Sequence, residues 1–294
     1  MSKTAYRIPV DGKVMACLDA SAYTDSVVDY AAWASKRLEA DLICLHVLHR
    51  EASRMATADY SGNIGIDTRE QLLDELAELD AKRARIAMRR GRELLEAARA
   101  RAAAAGALNP DSLQRHGSLV ETLTELEEDV RLFVIGKRGE SADFNRGHLG
   151  ANLERAVRAV HRPLLVTSRE FRRVRQFAIA FDGSATTRKC VEMVCMSPLL
   201  KDLGCHLVAA GNESTSLRES LDWARSQLEV AGFQPEIIVA PGNAEQVITE
   251  QVGRLDIDLL VMGAYGHSRI RHLIVGSTTT AVLRSCTIPV LLLR

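Results

Sequence analysis

Gly263, Gly266, Gly276, Ser277 and Thr278 follow one another as Gly-x2-Gly-x9-Gly-Ser-Thr, a grouping of bare main chain with hydroxyls that suits phosphate. Glycine lets a backbone come close to a ligand and tolerates φ > 0. The start of a helix offers unpaired N–H groups and the positive end of a dipole. The segment from Asp258 to Met262 is an apolar run with the length of a buried strand, and Gly263 stops it. Gly276-Ser277-Thr278 then opens an apolar-periodic segment that reads as a helix. Strand, glycine turn, loop and glycine-capped helix together can hold phosphate. The alternative is that the glycines only shape a tight turn. No lysine follows the second glycine, so this is not a P-loop, and the spacing is not the Gly-x-Gly-x-x-Gly of a dinucleotide fingerprint.

An elaborate frame must place that loop, and the chain supplies it twice. Lys13–Ser21 is an apolar run ending in Asp19, Ala20 and Ser21, and Gln176–Ser184 repeats it, ending in Asp182, Gly183 and Ser184. Each is followed by a helical pattern, Tyr23 to Ala40 and Thr186 to about Leu200, and then by a second strand. Leu132–Gly139 parallels Leu259–Gly266, and His161–Val166 parallels Thr287–Leu292, with a proline opening each last strand. A repeat of half the chain is a duplicated domain. Strands alternating with helices imply parallel sheets covered on both faces. The expected fold is therefore α/β, with two tandem open five-stranded parallel sheets. The predicted third strands lie near Ser112–His116 and Gln234–Ala240. Ligands of such sheets bind outside the carboxyl ends of strands, where Asp182 and Gly263 fall. The expected domains are 1–170, with a helical insertion at about 50–106, and 171–294, with the boundary around Ser168–Arg175. Arg69 to Ala105 reads as helix throughout; such a length predicts either a bend near Gly91 or projection beyond the sheet. It either packs on its own domain or serves as a lid or dimer contact.

The bulk numbers narrow the classes. The 294 residues carry 38 basic and 38 acidic side chains, so net charge gives no reason to expect nucleic acid or an acidic membrane as partner. No apolar run approaches a membrane span and the N-terminus has no secretion-signal core, so a cytoplasmic protein is expected. Six cysteines without a Cys-x-x-Cys pair fit a reducing compartment and show no metal-ligand spacing. No nucleophile–base pair is visible by spacing.

These residues and spacings resemble the universal stress protein family in its tandem form, over essentially the whole chain. The resemblance implies a Rossmann-like fold of the adenine-nucleotide α-hydrolase type and an ATP ligand, with or without Mg2+. It puts an acid at Asp182, the phosphate loop at Gly263, Gly266, Gly276, Ser277 and Thr278, and adenine near the end of the second strand and Gly183-Ser184. Asp182 would accept from a ribose hydroxyl or adenine amine, help hold a divalent ion, or cap the helix behind it. His267, Arg269, Arg271 and His272 could neutralise phosphate. The first half is the weaker case: Asp19, Gly136, Gly139, Gly150 and Asn152 keep part of the pattern. Ala151 stands for the serine, Ala20 for the glycine, and the loop is one residue longer. Lys137, Arg138 and Arg146 could still attract an anion there, and His116 could reach it. The implied function is an ATP-binding stress or regulatory protein, with a slow ATPase or phosphotransferase and a nucleotide-free assembly module as alternatives. The resemblance also implies that, since single-domain members commonly pair as dimers, Leu164–Thr167 and Val290–Leu293 are the expected neighbours in an intrachain pseudo-dimer. Whether two chains pair again, and which client is served, stay open.

Overall fold

The computed structural model describes residues 11–48, 66–139, 150–212, 214–264 and 276–294. The first half runs β1 (Lys13–Leu18), α1 (Thr24–Leu38), β2 (Asp41–Leu48), α2 (Ile66–Ala104), β3 (Leu108–His116), α3 (Leu119–Leu126), β4 (Val130–Gly136), α4 (Ala151–Ala159) and β5 (Leu164–Thr167). The second runs β6 (Gln176–Ala180), α5 (Ala185–Met196), β7 (Gly204–Ala210), α6 (Thr215–Val230), β8 (Pro235–Ala240), α7 (Ala244–Arg254), β9 (Leu259–Gly263), α8 (Ser277–Ser285) and β10 (Val290–Leu293).

The strands lie in the order β3-β2-β1-β4-β5-β10-β9-β6-β7-β8. Neighbours are parallel except β5 and β10, which pair antiparallel with Leu165 opposite Leu291. The two expected five-stranded sheets thus share an edge as one ten-stranded sheet, joined through the last strands of the halves. That junction removes two exposed strand edges from water.

Central strands here are apolar on both faces, as parallel strands covered by helices must be. Val14, Ala16 and Leu18 pack toward α1 and α2, with Phe177 and Ile179 toward α5 and α6 on the same side. Met15, Cys17 and Phe133 face α3 and α4, with Leu260 and Met262 against α7 and α8. Each of these two cores runs through both halves. No helix among the described residues is long and apolar enough to cross a membrane.

Two elements depart from the sequence expectation, and α2 takes one of the two courses left open for it. β3 begins at Leu108, ahead of the expected Ser112, and includes Pro110, which the outermost strand tolerates because its outer N–H groups need no partner. α5 stops at Met196 because Pro198 cannot continue it; a 3-10 turn from Pro198 to Leu200 follows, with Ser197 Oγ accepting from the Leu199 N–H at 3.3 Å. α2 is one uninterrupted helix of 39 residues, about 58 Å long at 1.5 Å per residue. Leu95, Ala98 and Ala102 bury its C-terminal part against the first-half core. The side chain of Arg101 grips Asp29 through two bonds of 2.8 and 2.7 Å and reaches Asp25 at 3.1 Å. Gly91 does not interrupt the helix, and its missing side chain leaves room for the sheet: a Cβ there would lie 2.3 Å from Gln114 Nε2 and 2.8 Å from His46 Cδ2. His46 and Gln114 lie near the carboxyl ends of β2 and β3. The helix preceding Gly91 therefore projects past that end of the sheet, and none of residues 74–90 is buried.

The segment between β5 and β6 is held against α1. The Arg172 N–H donates to the Tyr30 hydroxyl at 3.1 Å, Ser26 Oγ donates to the Ser168 carbonyl, and Phe171 meets the Tyr30 ring edge-on at 4.7 Å.

Candidate functional site

In each half the strand order reverses between two adjacent strands, β1 beside β4 and β6 beside β9. The chain leaves those strand ends in opposite directions, which opens a crevice at their carboxyl edge. Asp19 follows β1 and Gly136 ends β4; Asp182 follows β6 after Phe181, and Gly263 ends β9. The sequence repeat thus brings an acid and a glycine turn side by side twice.

In the first half the contact is direct. A Cβ on Gly139 would sit 2.9 Å from Asp19 Oδ2, and one on Gly136 would sit 2.8 Å from the Tyr23 Cβ. Neither glycine has positive φ, so space rather than backbone conformation demands them. The N–H of Gly150 points to the Lys137 carbonyl at 3.5 Å, closing the turn onto the start of α4, where Asn152 is half-buried. Asp19 also accepts from the Ser21 N–H at 3.2 Å. Asp19, Gly136, Gly139 and Gly150 therefore converge.

Lys137 is already committed elsewhere. Its Nζ donates to the carbonyls of Arg284 and Cys286 at 3.3 and 2.5 Å, at the C-terminal end of α8 in the other half. Burial pushes its pKa down. It is not the anion attractor that its position in the loop suggested. Reciprocally, Arg294 Nη1 donates to the carbonyls of Arg158 and Val160 at 3.1 and 3.0 Å, at the end of α4. His116 ends the outermost strand, two strands from β1, so it does not adjoin Asp19.

In the second half Asp182 Oδ1 accepts from the Ser184 N–H at 2.9 Å and from Thr187 Oγ1 at 2.8 Å. Ser184 caps α5 by accepting from the Thr187 N–H at 3.3 Å. The cap of α5 is thus Ser184 and not Asp182, which braces the capping residues while remaining exposed to solvent. Gly183 takes φ +76°, a left-handed conformation that favours glycine, and a Cβ there would meet Ser220 Oγ of α6 at 3.0 Å. Ala20 at the equivalent place is not among the residues with positive φ, so the two loops differ in shape. Arg188 donates to the Gly183 carbonyl at 3.1 Å and to Ser220 Oγ at 2.9 Å, with its guanidinium 4.6 Å over the Trp223 ring.

Gly276 is the N-cap of α8 at φ −54°, ψ 139°, and Gly150 caps α4 at φ −58°, ψ 132°. Ser277 and Thr278 are exposed in the first turn of α8. Gly266, His267, Arg269, Arg271, His272 and Arg146 lie outside the described residues. The sequence reading missed Thr279. It is buried, and its hydroxyl donates to the Gly263 carbonyl at 3.1 Å, tying the helix start to the end of β9. The signal was the spacing of Thr279, Val282, Leu283 and Cys286, an inward helical stripe. In the first half Leu153 takes that place, so the tie is missing. Among the described residues, no group of three His, Cys, Asp or Glu could hold a metal ion.

Comparison with known proteins was consistent in both sequence and fold. The family model described as Universal stress protein family matches residues 12–168 and again 174–294. Universal stress protein Slr1230 of Synechocystis sp. is 37% identical over 284 residues, 96% of this chain and 99% of that protein. A universal stress protein structure from Archaeoglobus fulgidus DSM 4304 superposes with a TM-score of 0.69 at 17% identity, covering 96% of this chain and 98% of that one. A structure from Pseudomonas aeruginosa UCBPP-PA14, named for the same family, gives 0.62 at 16% identity, covering 96% and 92%. At these identities the two structures speak to the fold alone.

Proposed function

This chain belongs to the universal stress protein family, and on that premise we propose that it binds ATP as a regulatory ligand, mainly in its second half. The observation carrying the proposal is the start of α8. Its cap is a glycine in a backbone conformation open to any residue, so the missing side chain serves space. The first N–H groups of the helix have no intrahelical acceptor, and two exposed hydroxyls stand among them. Thr279 fixes this end beside Gly263.

In this reading the phosphates take hydrogen bonds from the backbone of Gly276, Ser277 and Thr278 and from the two hydroxyls, with Gly263 and Gly266 giving close approach. Asp182 faces the ribose or adenine amine, and adenine lies near the end of β7 and Gly183-Ser184. Mg2+, where present, comes with the triphosphate and draws on Asp182. Charge-assisted hydrogen bonds are worth about 1.5–3 kcal/mol each. Three or four, less the cost of association, support micromolar to sub-millimolar affinity. In a cytoplasmic setting such a site would report on the nucleotide supply.

Three differences weaken the first half as a site. Ala151 lacks the serine hydroxyl, Leu153 cannot tie α4 to β4, and Lys137 is turned to the other half. Calorimetry with ATP on the intact chain, together with identification of any nucleotide released on denaturing freshly purified protein, tests the proposal. Absence of both heat and co-purified nucleotide refutes it. Release of phosphate, lost in Asp182→Asn, would favour the slow ATPase instead.

A further inference from the structure

We propose that the groove between α1, the end of α2 and the segment joining the two halves binds a small organic anion with a flat aromatic body. The groove has a volume of about 600 Å³. That is the size of a ligand site, and such sites favour places where two domains meet. Ala105 and Leu203 in its lining precede β3 and β7, so it lies toward the amino edge of the sheet. Asp19 and Asp182 stand at the opposite edge, and the groove is separate from both crevices.

One wall is aromatic. Trp33 is half-buried, packing partly on the first-half core while also lining the groove. Phe171 is 38% exposed and is held by its edge-on contact with the Tyr30 ring at 4.7 Å. The Arg172 N–H, bonded to the Tyr30 hydroxyl at 3.1 Å, pins the same segment. The wall is preformed, which lowers the cost of ordering it around a ligand. Exposed ring faces take flat aromatic partners by stacking.

The rim is cationic. Lys36, Arg37 and Arg173 line it with one acid, Asp29. That acid is already taken, since Arg101 holds its two oxygens at 2.8 and 2.7 Å. Arg37 Nε donates to the Leu199 carbonyl at 3.0 Å, and its Nη2 donates to the Lys201 carbonyl. Neutral carbonyls orient that guanidinium without cancelling its charge. Among the described residues no carboxylate pairs with Lys36, Arg37 or Arg173. Uncancelled cations beside a rigid aromatic wall select a partner that is anionic and flat at once.

Fluorine NMR of the full chain labelled with fluorotryptophan tests this. The chain has 2 tryptophans, and Trp223, under Arg188 in the second half, is the internal control. Trp223→Phe assigns the two lines. Naphthyl phosphate moves the Trp33 line saturably and leaves the Trp223 line in place. Inorganic phosphate and naphthyl methanol each carry half of the recognition and bind at least about tenfold more weakly. Lys36→Gln/Arg173→Gln weakens naphthyl phosphate by about tenfold or more at unchanged helical content, as these charges are exposed and support no fold contact. AMP acting on the Trp33 line at lower concentration than naphthyl phosphate identifies a nucleotide as the source of the anion. The reverse order identifies a non-nucleotide aryl acid, and either upholds the site. A Trp33 line that naphthyl phosphate leaves unmoved, equal affinity for naphthyl methanol or inorganic phosphate, or binding indifferent to Lys36→Gln/Arg173→Gln overturns the proposal.

Discussion

Gly276→Val separates the two reasons a glycine can be needed. At φ −54° and ψ 139° the position is open to valine, so the fold should tolerate it. The cost to stability is that of a poorer cap, up to about 1 kcal/mol. The cost to binding is larger, because the new methyls occupy the space a phosphate would need against the helix start. Losing two charge-assisted hydrogen bonds removes about 3–6 kcal/mol, at least ~100-fold in affinity. The assay is thermal unfolding with and without ATP. At a concentration ~100 times the wild-type dissociation constant, ligand stabilises wild type by about 2.7 kcal/mol. A 100-fold weaker variant at the same concentration gains only about 0.4 kcal/mol. Gly150→Val, at the matching cap of α4, should leave the wild-type gain intact. An unchanged ATP shift in a folded Gly276→Val protein, or its loss in Gly150→Val alone, would refute the assignment.

Other outcomes follow from the same geometry. Thr279→Val leaves the Gly263 carbonyl without its buried donor and should lower stability by about 1–3 kcal/mol in urea titration, with weaker ATP binding; an unchanged midpoint contradicts the tie. Gly91→Ala should destabilise although alanine is the better helix former, because the new methyl would meet Gln114 and His46; a higher melting temperature would show that the helix can slide. Burial pushes the Cys44 thiol up to about 11 and that of Cys190 to about 12, from an ordinary 9.0. Their neutral folded forms contribute stability that is complete below pH 9.0 and is lost as pH rises through those folded values. Global stability measured by denaturant should therefore decline above pH ~9, and a flat profile would count against buried, neutral thiols. A thiol reagent should label the partly exposed Cys195 first in the native protein, and Cys195→Ser should remove that fast phase; a fast phase that persists would mean another thiol is open.

The fold was legible because its signals are local and written twice. A five-residue apolar run before Asp182, a helical pattern after it, and a proline before each last strand name the elements without reference to distant contacts. The acid and the glycine turn could be brought together because parallel βαβ connections leave few topologies to choose from. What stayed hidden depends on long-range geometry. Gly91 left a bend and a projection equally open because a mid-helix glycine has no local mark for closeness to a strand. Lys137 looked like an anion ligand because its partners, Arg284 and Cys286, lie 147 and 149 residues away. Thr279 sat within a run of hydroxyls in which only the inward stripe distinguishes it from Ser277 and Thr278.

The crossed grips of Lys137 and Arg294 carry a consequence for communication. α8 points its front end at the crevice of its own half, while its tail is pinned by a lysine one step beyond Gly136, inside the turn of the opposite crevice. α4 is pinned in the same fashion by the final residue of the chain. A tilt of α8 would strain those two hydrogen bonds. Through that one side chain the turn after Gly136 is joined to the helix that begins beside Gly263.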